Sequence, residues 1–263
     1  MSFSTLLIGE ENGVRTITLN RPERRNAMTP EMQAELISAL GYASDSSCRV
    51  VVLRGAGDAF CSGLDLSVLQ SMHTKSEEDA LSGGRADAER IASLFQMLFE
   101  LPKPTIAAVH GPAIAGGTGL ATLCDFTLAT PTAKFGYTEV RIGFVPALVS
   151  AYLALQIGDK RSRDLLMTGR LFDAYEAQRL GLVNEIVELD ALDARVQALA
   201  KTLIANSPQS LAATKRLMAV QNKPWLDAAI AAAMEANAEA RTTEDFREGI
   251  SAFLEKRKAV WKA

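Results

Sequence analysis

Four glycines fall within the nine residues GPAIAGGTG at 111–119, directly after the strand-like run TIAAV at 105–109. A second glycine-bearing loop, AFCSGLD at 59–65, comes after the apolar run at 50–53. Glycine lets a backbone approach a ligand with no Cβ in the way, and a helix that begins near Gly117 leaves its first N–H groups unpaired. The two loops therefore predict an anion or oxyanion site, with tight turns and helix packing as the plain structural alternative.

The order of strand-like and helix-like segments predicts a mixed α/β fold. A hairpin signal at Gly13, a Thr-Pro helix start at Thr29 and a buried strand at 50–53 follow one another. Residues 85–100 carry apolar side chains at helical spacing before two prolines end the pattern. The segment 67–84 has few consecutive apolar residues and a Gly-Gly pair, so we expect a mobile loop there.

The last quarter of the chain differs from what precedes it. Strand signals stop, the sequence becomes rich in alanine, and Ser207-Pro208 and Lys223-Pro224 predict two helix starts. We expect an α/β core over residues 1–200 and a helical region over residues 201–263.

Composition excludes several classes of function. The formal net charge of −3 provides no basic surface for nucleic acid or anionic membranes. Cys48, Cys61 and Cys124 are widely spaced, so they predict neither disulfides nor a zinc site, and we expect no metal. No signal-peptide pattern and no apolar run of about 18 residues is present, so we expect a cytoplasmic protein.

Few residues offer catalytic chemistry. Neither glycine loop has the pattern of a dinucleotide or P-loop phosphate site, and no serine-hydrolase elbow occurs. His73 and His110 are more typical of surface or core histidines than of general bases. Glu139 lies in the apolar stretch FGYTEVRIG, where hydrophobic neighbours would raise its pKa and suit it to acid/base work. An ion pair with nearby Arg141 is the plain structural alternative.

Taken together, these segments resemble the crotonase superfamily, the enoyl-CoA hydratase/isomerase family, over nearly the whole chain. The matching motifs are NRP at 20–22 with NA at 26–27, FCSGLDL at 60–66, AGG at 115–117 with CD at 124–125, FG at 135–136 with Glu139, Gly143 and Pro146, LMTG at 166–169, AYEA at 174–177, GLV at 181–183 and EGISAFLEKRK at 248–258.

The resemblance implies a fold and a set of site residues. The fold is a spiral of ββα repeats followed by a helical C-terminal region that assembles trimers, commonly paired into hexamers. By position, the N–H groups of Leu64 and Gly116 form an oxyanion hole for a thioester enolate. No cofactor is implied beyond the CoA of an acyl-CoA substrate. The residues implied to hold CoA are Arg24, Arg25, Ala27, Ser62, Asp65, Leu66, Phe253 and Lys256. The resemblance allows the last two to come from a neighbouring subunit.

One position departs from the family pattern. Hydratases of this family typically carry two glutamates, and Gly119 occupies the first of these positions while Glu139 keeps the second. Our leading expectation is an enoyl-CoA hydratase in which Glu139 is the acid/base. A Δ3,Δ2-enoyl-CoA isomerase needs a single carboxylate and is the alternative. The absence of the first glutamate also allows a third interpretation, a non-catalytic acyl-CoA-binding scaffold.

Overall fold

The computed structural model describes residues 3–73 and 77–262 and has nine strands and ten α-helices within them. The strands are β1 Leu6–Glu11, β2 Val14–Leu19, β3 Val50–Gly55, β4 Thr105–Val109, β5 Ala113–Ile114, β6 Phe126–Ala129, β7 Lys134–Gly136, β8 Leu171–Asp173 and β9 Glu185–Ile186. The helices are α1 Pro30–Asp45, α2 Leu66–His73, α3 Glu77–Glu100, α4 Gly116–Leu123, α5 Ala147–Ile157, α6 Asp159–Thr168, α7 Ala174–Leu180, α8 Leu189–Ala205, α9 Pro208–Ala240 and α10 Glu244–Leu254. The expected mixed α/β class is confirmed.

The larger sheet has six strands in the order β1-β2-β3-β4-β6-β9. β1 and β2 form the antiparallel hairpin, and every later neighbour in this sheet is parallel. Parallel strands need a crossover connection, which α1 provides between β2 and β3. Burial on both faces explains the almost continuous apolar sequence of β3 and β4.

A smaller sheet, β5-β7-β8, lies next to the glycine loops. β5 pairs in parallel with β7, and isolated bridges link Met28 to Leu64 and Cys61 to Ala113. These pairings connect the loop after β3, the loop before α4 and the segment before α1. The two glycine loops are therefore held against each other by backbone hydrogen bonds.

Several predicted helix starts are confirmed with their capping contacts. Thr29 caps α1 by accepting a hydrogen bond from the Met32 N–H at 3.2 Å. Asp173 and Ser207 cap α7 and α9 in the same way. The last strand, β9, has only two residues.

The prediction of a mobile loop over residues 67–84 is wrong where the structure describes that segment. Residues Leu66–His73 form α2, and α3 begins at Glu77 and runs through the Gly-Gly pair; residues 74–76 lie outside the described part of the chain. The reason lies in packing: a Cβ on Gly84 would stand 3.3 Å from the Cα of Ala238 on α9. The glycine therefore permits a close helix crossing instead of a turn.

The second predicted helix start, at Lys223-Pro224, is also wrong. Pro224 lies inside α9, which continues for 33 residues from Pro208 to Ala240. Proline removes one helical hydrogen bond, but packing of the following residues offsets this cost. Leu226, Ile230 and Ala233 belong to the main hydrophobic core, where α9 contacts α3 and α5.

No helix in the described ranges is both long and apolar enough to span a membrane.

Candidate active site

The loop after β3 directs the Leu64 N–H away from its bridge partner. Met28 N–H donates to the Gly63 carbonyl at 2.7 Å, and Asp65 N–H donates to the Met28 carbonyl at 3.0 Å. In a parallel bridge of this kind, the N–H and C=O of the intervening residue point to the opposite side. No described residue accepts a hydrogen bond from the Leu64 N–H.

The second loop presents the Gly116 N–H at the first position of α4. A first-turn N–H has no partner within its own helix, and none outside it is found among the described residues. The preceding Ala115 has φ 53° and ψ −125°, a conformation that glycine prefers. Its N–H donates to the Gly136 carbonyl at 2.6 Å, which anchors the turn to β7.

Glycine at three positions lets the two loops touch. A Cβ on Gly117 would lie 2.2 Å from the Cys61 carbonyl oxygen, which no side chain could tolerate. A Cβ on Gly63 would lie 3.0 Å from the Ala115 Cβ and 3.5 Å from the Gly116 nitrogen. A Cβ on Gly116 would lie 3.0 Å from the Met28 methyl carbon. Close approach of backbones is thus the physical reason for the glycines.

Leu64 and Gly116, whose N–H groups are unpaired, line one pocket of about 380 Å³. The same pocket is lined by most of the residues that the family resemblance implied. They are Leu64, Gly116 and Glu139, with Arg24, Arg25, Ala27, Ser62, Asp65, Leu66 and Phe253. Lys256 is the exception: it is exposed beyond the end of α10 and does not line this pocket of its own chain.

Glu139 begins a 3₁₀ turn, Glu139–Ile142, that follows β7. Its Oε2 is buried and has no hydrogen-bond partner in the described part of the protein. Burial of the carboxyl raises its pKa from an ordinary 4.5 to about 7, and a hydrogen bond from its own backbone offsets this only in part. Arg141 is exposed and forms no ion pair with Glu139, so the plain structural alternative is not found.

The pocket wall at Gly119 is apolar and leaves no space for a larger side chain. A Cβ there would lie 2.8 Å from Val149 Cγ1 and 3.0 Å from Phe95 Cζ. The space that a glutamate side chain would need is therefore occupied by these two residues. Asp65 is the other carboxylate in the described lining, and it is bound by Arg21 at 2.9 Å and by Ser67. Glu139 is left as the carboxyl group available for proton transfer.

The pocket mouth carries two cations. Arg24 and Arg25 are exposed, and neither forms an ion pair with a described residue. Their backbone is fixed by Asn26, whose side-chain amide donates to the Ala59 carbonyl at 2.8 Å and whose Oδ1 accepts from the Arg21 N–H at 2.9 Å. Such unpaired guanidinium groups suit the phosphates of a nucleotide-like ligand.

Sequence reasoning missed the apolar walls and one polar residue of the pocket. Ile91 and Phe95 of α3 fall within residues 85–100, where helical spacing was recognised, but that spacing does not separate a pocket wall from a solid core. Leu148 of α5 also lines the pocket. Asn237 of α9 also lines the pocket and gave no signal beyond being polar in an alanine-rich segment.

Of the two histidines, the structure places His110 outside this site. His110 Nε2 lies 2.7 Å from the Gly57 carbonyl oxygen, outside the pocket lining. His73 ends α2, and its side chain is outside the described residues. No cluster of three metal-ligating side chains occurs in the ranges that the structure covers.

Comparison with known proteins places this geometry in a family. The sequence profile of the enoyl-CoA hydratase/isomerase family matches residues 9–263. A protein of Thermus thermophilus described as a candidate enoyl-CoA hydratase is 43% identical, covering 94% of this chain and 97% of its own. The short-chain-enoyl-CoA hydratase of Clostridium acetobutylicum is 32% identical over 98% of this chain and 97% of its own.

Solved structures agree with the sequence comparison. The crystal structure of an enoyl-CoA hydratase/isomerase from Xanthobacter autotrophicus Py2 superposes with a TM-score of 0.88 at 32% identity, covering the whole of both chains. The expected crotonase-like fold with its helical C-terminal region, and the expectation of an enzyme in place of a non-catalytic scaffold, are thereby confirmed. The chain belongs to the enoyl-CoA hydratase/isomerase family.

Proposed function

We propose that this protein is an enoyl-CoA hydratase that adds water reversibly to a 2-enoyl-CoA, with Glu139 as its single acid/base. The observation that carries the proposal is the buried Glu139 Oε2, which has no hydrogen-bond partner and lies in the same pocket as Leu64 and Gly116, whose N–H groups are free. Relatives named as enoyl-CoA hydratases, at 32 to 43% identity, support hydration as the reaction.

One carboxylate can balance both proton transfers. Ionised Glu139 takes a proton from water while the water oxygen bonds to C3 of the substrate. The electron pair of the C2–C3 double bond moves onto the thioester oxygen, where Leu64 and Gly116 donate to the developing charge. Glu139 then returns the same proton to C2, which restores the ionised enzyme. A pKa of about 7 suits a group that accepts and returns a proton near neutrality.

The filled space at Gly119 favours a second candidate, a Δ3,Δ2-enoyl-CoA isomerase. With no second carboxylate to orient water, Glu139 could move a proton from C2 to C4 of a 3-enoyl-CoA through the same enolate. Both reactions use the same oxyanion donors, so the pocket described here supports either.

Product mass separates the two reactions. Purified protein is incubated with trans-2-enoyl-CoA and 3-enoyl-CoA thioesters, and the masses of the products are measured by mass spectrometry. Hydration adds one water to a 2-enoyl-CoA, whereas isomerisation converts a 3-enoyl-CoA with no change in mass. If no 2-enoyl-CoA of the panel gains water, the hydratase proposal is wrong.

A matched pair of variants links the activity to the site. Glu139→Gln removes the acid/base, and we expect activity to fall by about a hundredfold or more. Glu188→Gln alters an exposed glutamate at the start of α8 and serves as the control.

We also propose that the exposed Arg24 and Arg25 bind the phosphates of CoA, beside Ala27, Ser62, Asp65 and Leu66. Phe253 would cover the ligand from α10. For Asp65 the contact would come from its backbone, because its carboxylate is engaged by Arg21 and Ser67. No cofactor besides the CoA of the substrate is needed for the steps above. Charge reversal at Arg24 and Arg25 should weaken CoA binding in calorimetry.

Assembly into a trimer or a hexamer forms a further part of the proposal. Exposed Leu217, Met218 and Trp225 on α9 offer apolar surface within the proposed oligomerisation region, residues 201–263. The exposed position of Lys256 is compatible with a role at a neighbouring subunit's site. Light scattering after gel filtration tests the subunit number. Three free, buried cysteines are consistent with the reducing cytoplasm as the proposed location.

A further inference from the structure

A polar side chain of α9 reaches the pocket, and the proposed reaction does not use it. Asn237 is 4% exposed and lines the pocket together with Ile91 and Phe144. Buried amide groups in proteins are almost always hydrogen-bonded, so each polar atom of this side chain needs a partner.

The orientation of the Asn237 amide is fixed by its neighbour. Arg241 Nη2 lies 3.1 Å from Asn237 Oδ1. A guanidinium group only donates hydrogen bonds, so the atom facing it is the amide oxygen and the nitrogen Nδ2 faces the other way. Arg241 is itself held by a buried ion pair with Asp87 at 2.5 Å and lies 5.5 Å from the centre of the Phe144 ring.

The donor side of the amide is unused. No residue in the described part of the chain accepts a hydrogen bond from Asn237 Nδ2. Nδ2 is not completely enclosed, and Asn237 lines the pocket, so we infer that this nitrogen is accessible from the pocket. A fixed donor that faces a binding pocket and has no internal partner is suited to a ligand acceptor.

We propose that Asn237 is a specificity-determining residue that donates a hydrogen bond to an oxygen on the acyl chain of the bound thioester. The inference rests on the proposed function, because it assumes that an acyl-CoA occupies the pocket. The substrate class is an acyl-CoA whose chain carries a hydroxyl, carbonyl or carboxylate oxygen. A plain alkyl chain would bury Nδ2 without a partner, and a site built to hydrogen-bond its ligand discriminates strongly against such analogues.

Binding of unreactive ligands tests the inference without relying on turnover. Calorimetry compares saturated acyl-CoAs with chains of four to eight carbons that end in a methyl, a hydroxyl, a methyl ketone or a carboxylate. The variants are Asn237→Asp, which keeps an oxygen for Arg241 but loses the donor, and Asn237→Leu, which is apolar. Asn222→Asp, on the solvent side of the same helix, is the matched control.

The wild-type protein should bind at least one oxygen-bearing chain about tenfold or more tightly than the methyl-ended chain of equal length. Asn237→Asp should abolish the preference for the ketone and the carboxylate, whose oxygens only accept, whereas a hydroxyl can still donate to the new carboxylate. Asn237→Leu should reverse the preference in favour of the methyl-ended chain. The oxygen-bearing chain whose affinity exceeds that of the methyl-ended chain by the largest factor identifies the terminal group of the preferred substrate. Asn222→Asp should retain the preference.

Two results would overturn the inference: equal binding of methyl-ended and oxygen-bearing chains by the wild type, or an Asn237→Asp variant that weakens all chains equally. Turnover of 2-enoyl-CoAs is measured in parallel. Loss of hydration with the binding preference intact contradicts the proposed function alone, and intact hydration without the preference contradicts only the role of Asn237.

Discussion

The chemistry of single residues in this pocket depends on what surrounds the Glu139 carboxyl. Water and hydrogen-bond donors would stabilise the ionised form, but Oε2 has neither a partner nor exposure. The carboxyl therefore holds its proton up to a pH of about 7. The same burial that makes the group useful as an acid/base also makes its ionisation costly to the folded protein.

The first prediction follows from that cost. A carboxyl whose pKa is raised on folding destabilises the native state as it ionises, so stability falls as pH rises from about 4.5 to about 7 and then levels off. Glu139→Gln should therefore be more stable than the wild type by about 1–3 kcal/mol at pH 8 and equal to it at pH 4.5. Urea denaturation across this pH range measures the difference. A constant difference at all pH values would contradict the raised pKa.

The activity should depend on pH for the same reason. The reaction starts from ionised Glu139, so kcat/KM should fall below a pH of about 7 and approach a tenfold loss per pH unit. Initial rates with a 2-enoyl-CoA at low concentration measure this profile. An acidic limb centred near 4.5 would mean that the carboxyl is solvated in the free enzyme.

Restoring a glutamate at Gly119 should not restore a two-glutamate site. Gly119→Glu places a charged side chain against Phe95 and Val149, so we expect a loss of several kcal/mol of stability with no gain in hydration rate. Gly119→Ala adds only a Cβ at 2.8 Å from Val149 and should cost about 1–3 kcal/mol. Thermal melts and hydration rates of both variants test this. A stable, faster Gly119→Glu enzyme would show that the wall can rearrange.

At the level of elements, the proposed oxyanion donors lie on two loops and at the start of a helix. Gly63 has φ +89° and lies against Ala115, whose own strained backbone turns the Gly116 N–H toward the pocket. Small changes in this contact would move a donor relative to the thioester oxygen. The loops therefore act as one unit although Gly63 and Ala115 are 52 positions apart in the sequence.

Gly63→Ala should lower kcat more than it weakens binding. The added Cβ would stand 3.0 Å from Ala115 Cβ, and displacing one oxyanion donor typically costs about 10²–10³ in kcat. Gly181→Ala is the control, because that glycine also has a positive φ, +87°, but faces open space. Both variants should lose some stability, and only Gly63→Ala should lose activity at saturating substrate. Equal kcat values in the two variants would contradict the argument.

The elements also show where sequence reasoning stops. Glu139 and the two glycine loops could be proposed as site residues from the sequence. A carboxylate in an apolar stretch and a cluster of glycines are both visible as local sequence patterns. The Gly-Gly pair near residue 84 was read as a loop because its reason, the Ala238 backbone on α9, lies about 150 residues away. The apolar side chains that fill the space at Gly119 come from α3 and α5 and are equally invisible to local spacing.

At the scale of the whole molecule, α9 belongs to the core although it lies beyond residue 200. Leu226, Ile230 and Ala233 share the main hydrophobic cluster, and Arg241 after α9 is paired with Asp87 of α3 with both side chains buried. A role in assembly for residues 201–263 is thus compatible with cooperative folding of the protomer. The domain boundary near residue 200 separates the region proposed for catalysis from the region proposed for assembly, and it stays a prediction.

This arrangement predicts one cooperative unfolding transition for the protomer. Both tryptophans, Trp225 and Trp261, lie in the C-terminal region, so their fluorescence reports on that region while circular dichroism reports on all helices. The two urea transitions should coincide. Asp87→Ala should shift both together by about 3 kcal/mol, because it removes the buried partner of Arg241. Asp159→Ala, which breaks an exposed ion pair with Arg163, should shift neither appreciably. A fluorescence transition well below the dichroism transition would instead indicate a C-terminal region that unfolds by itself.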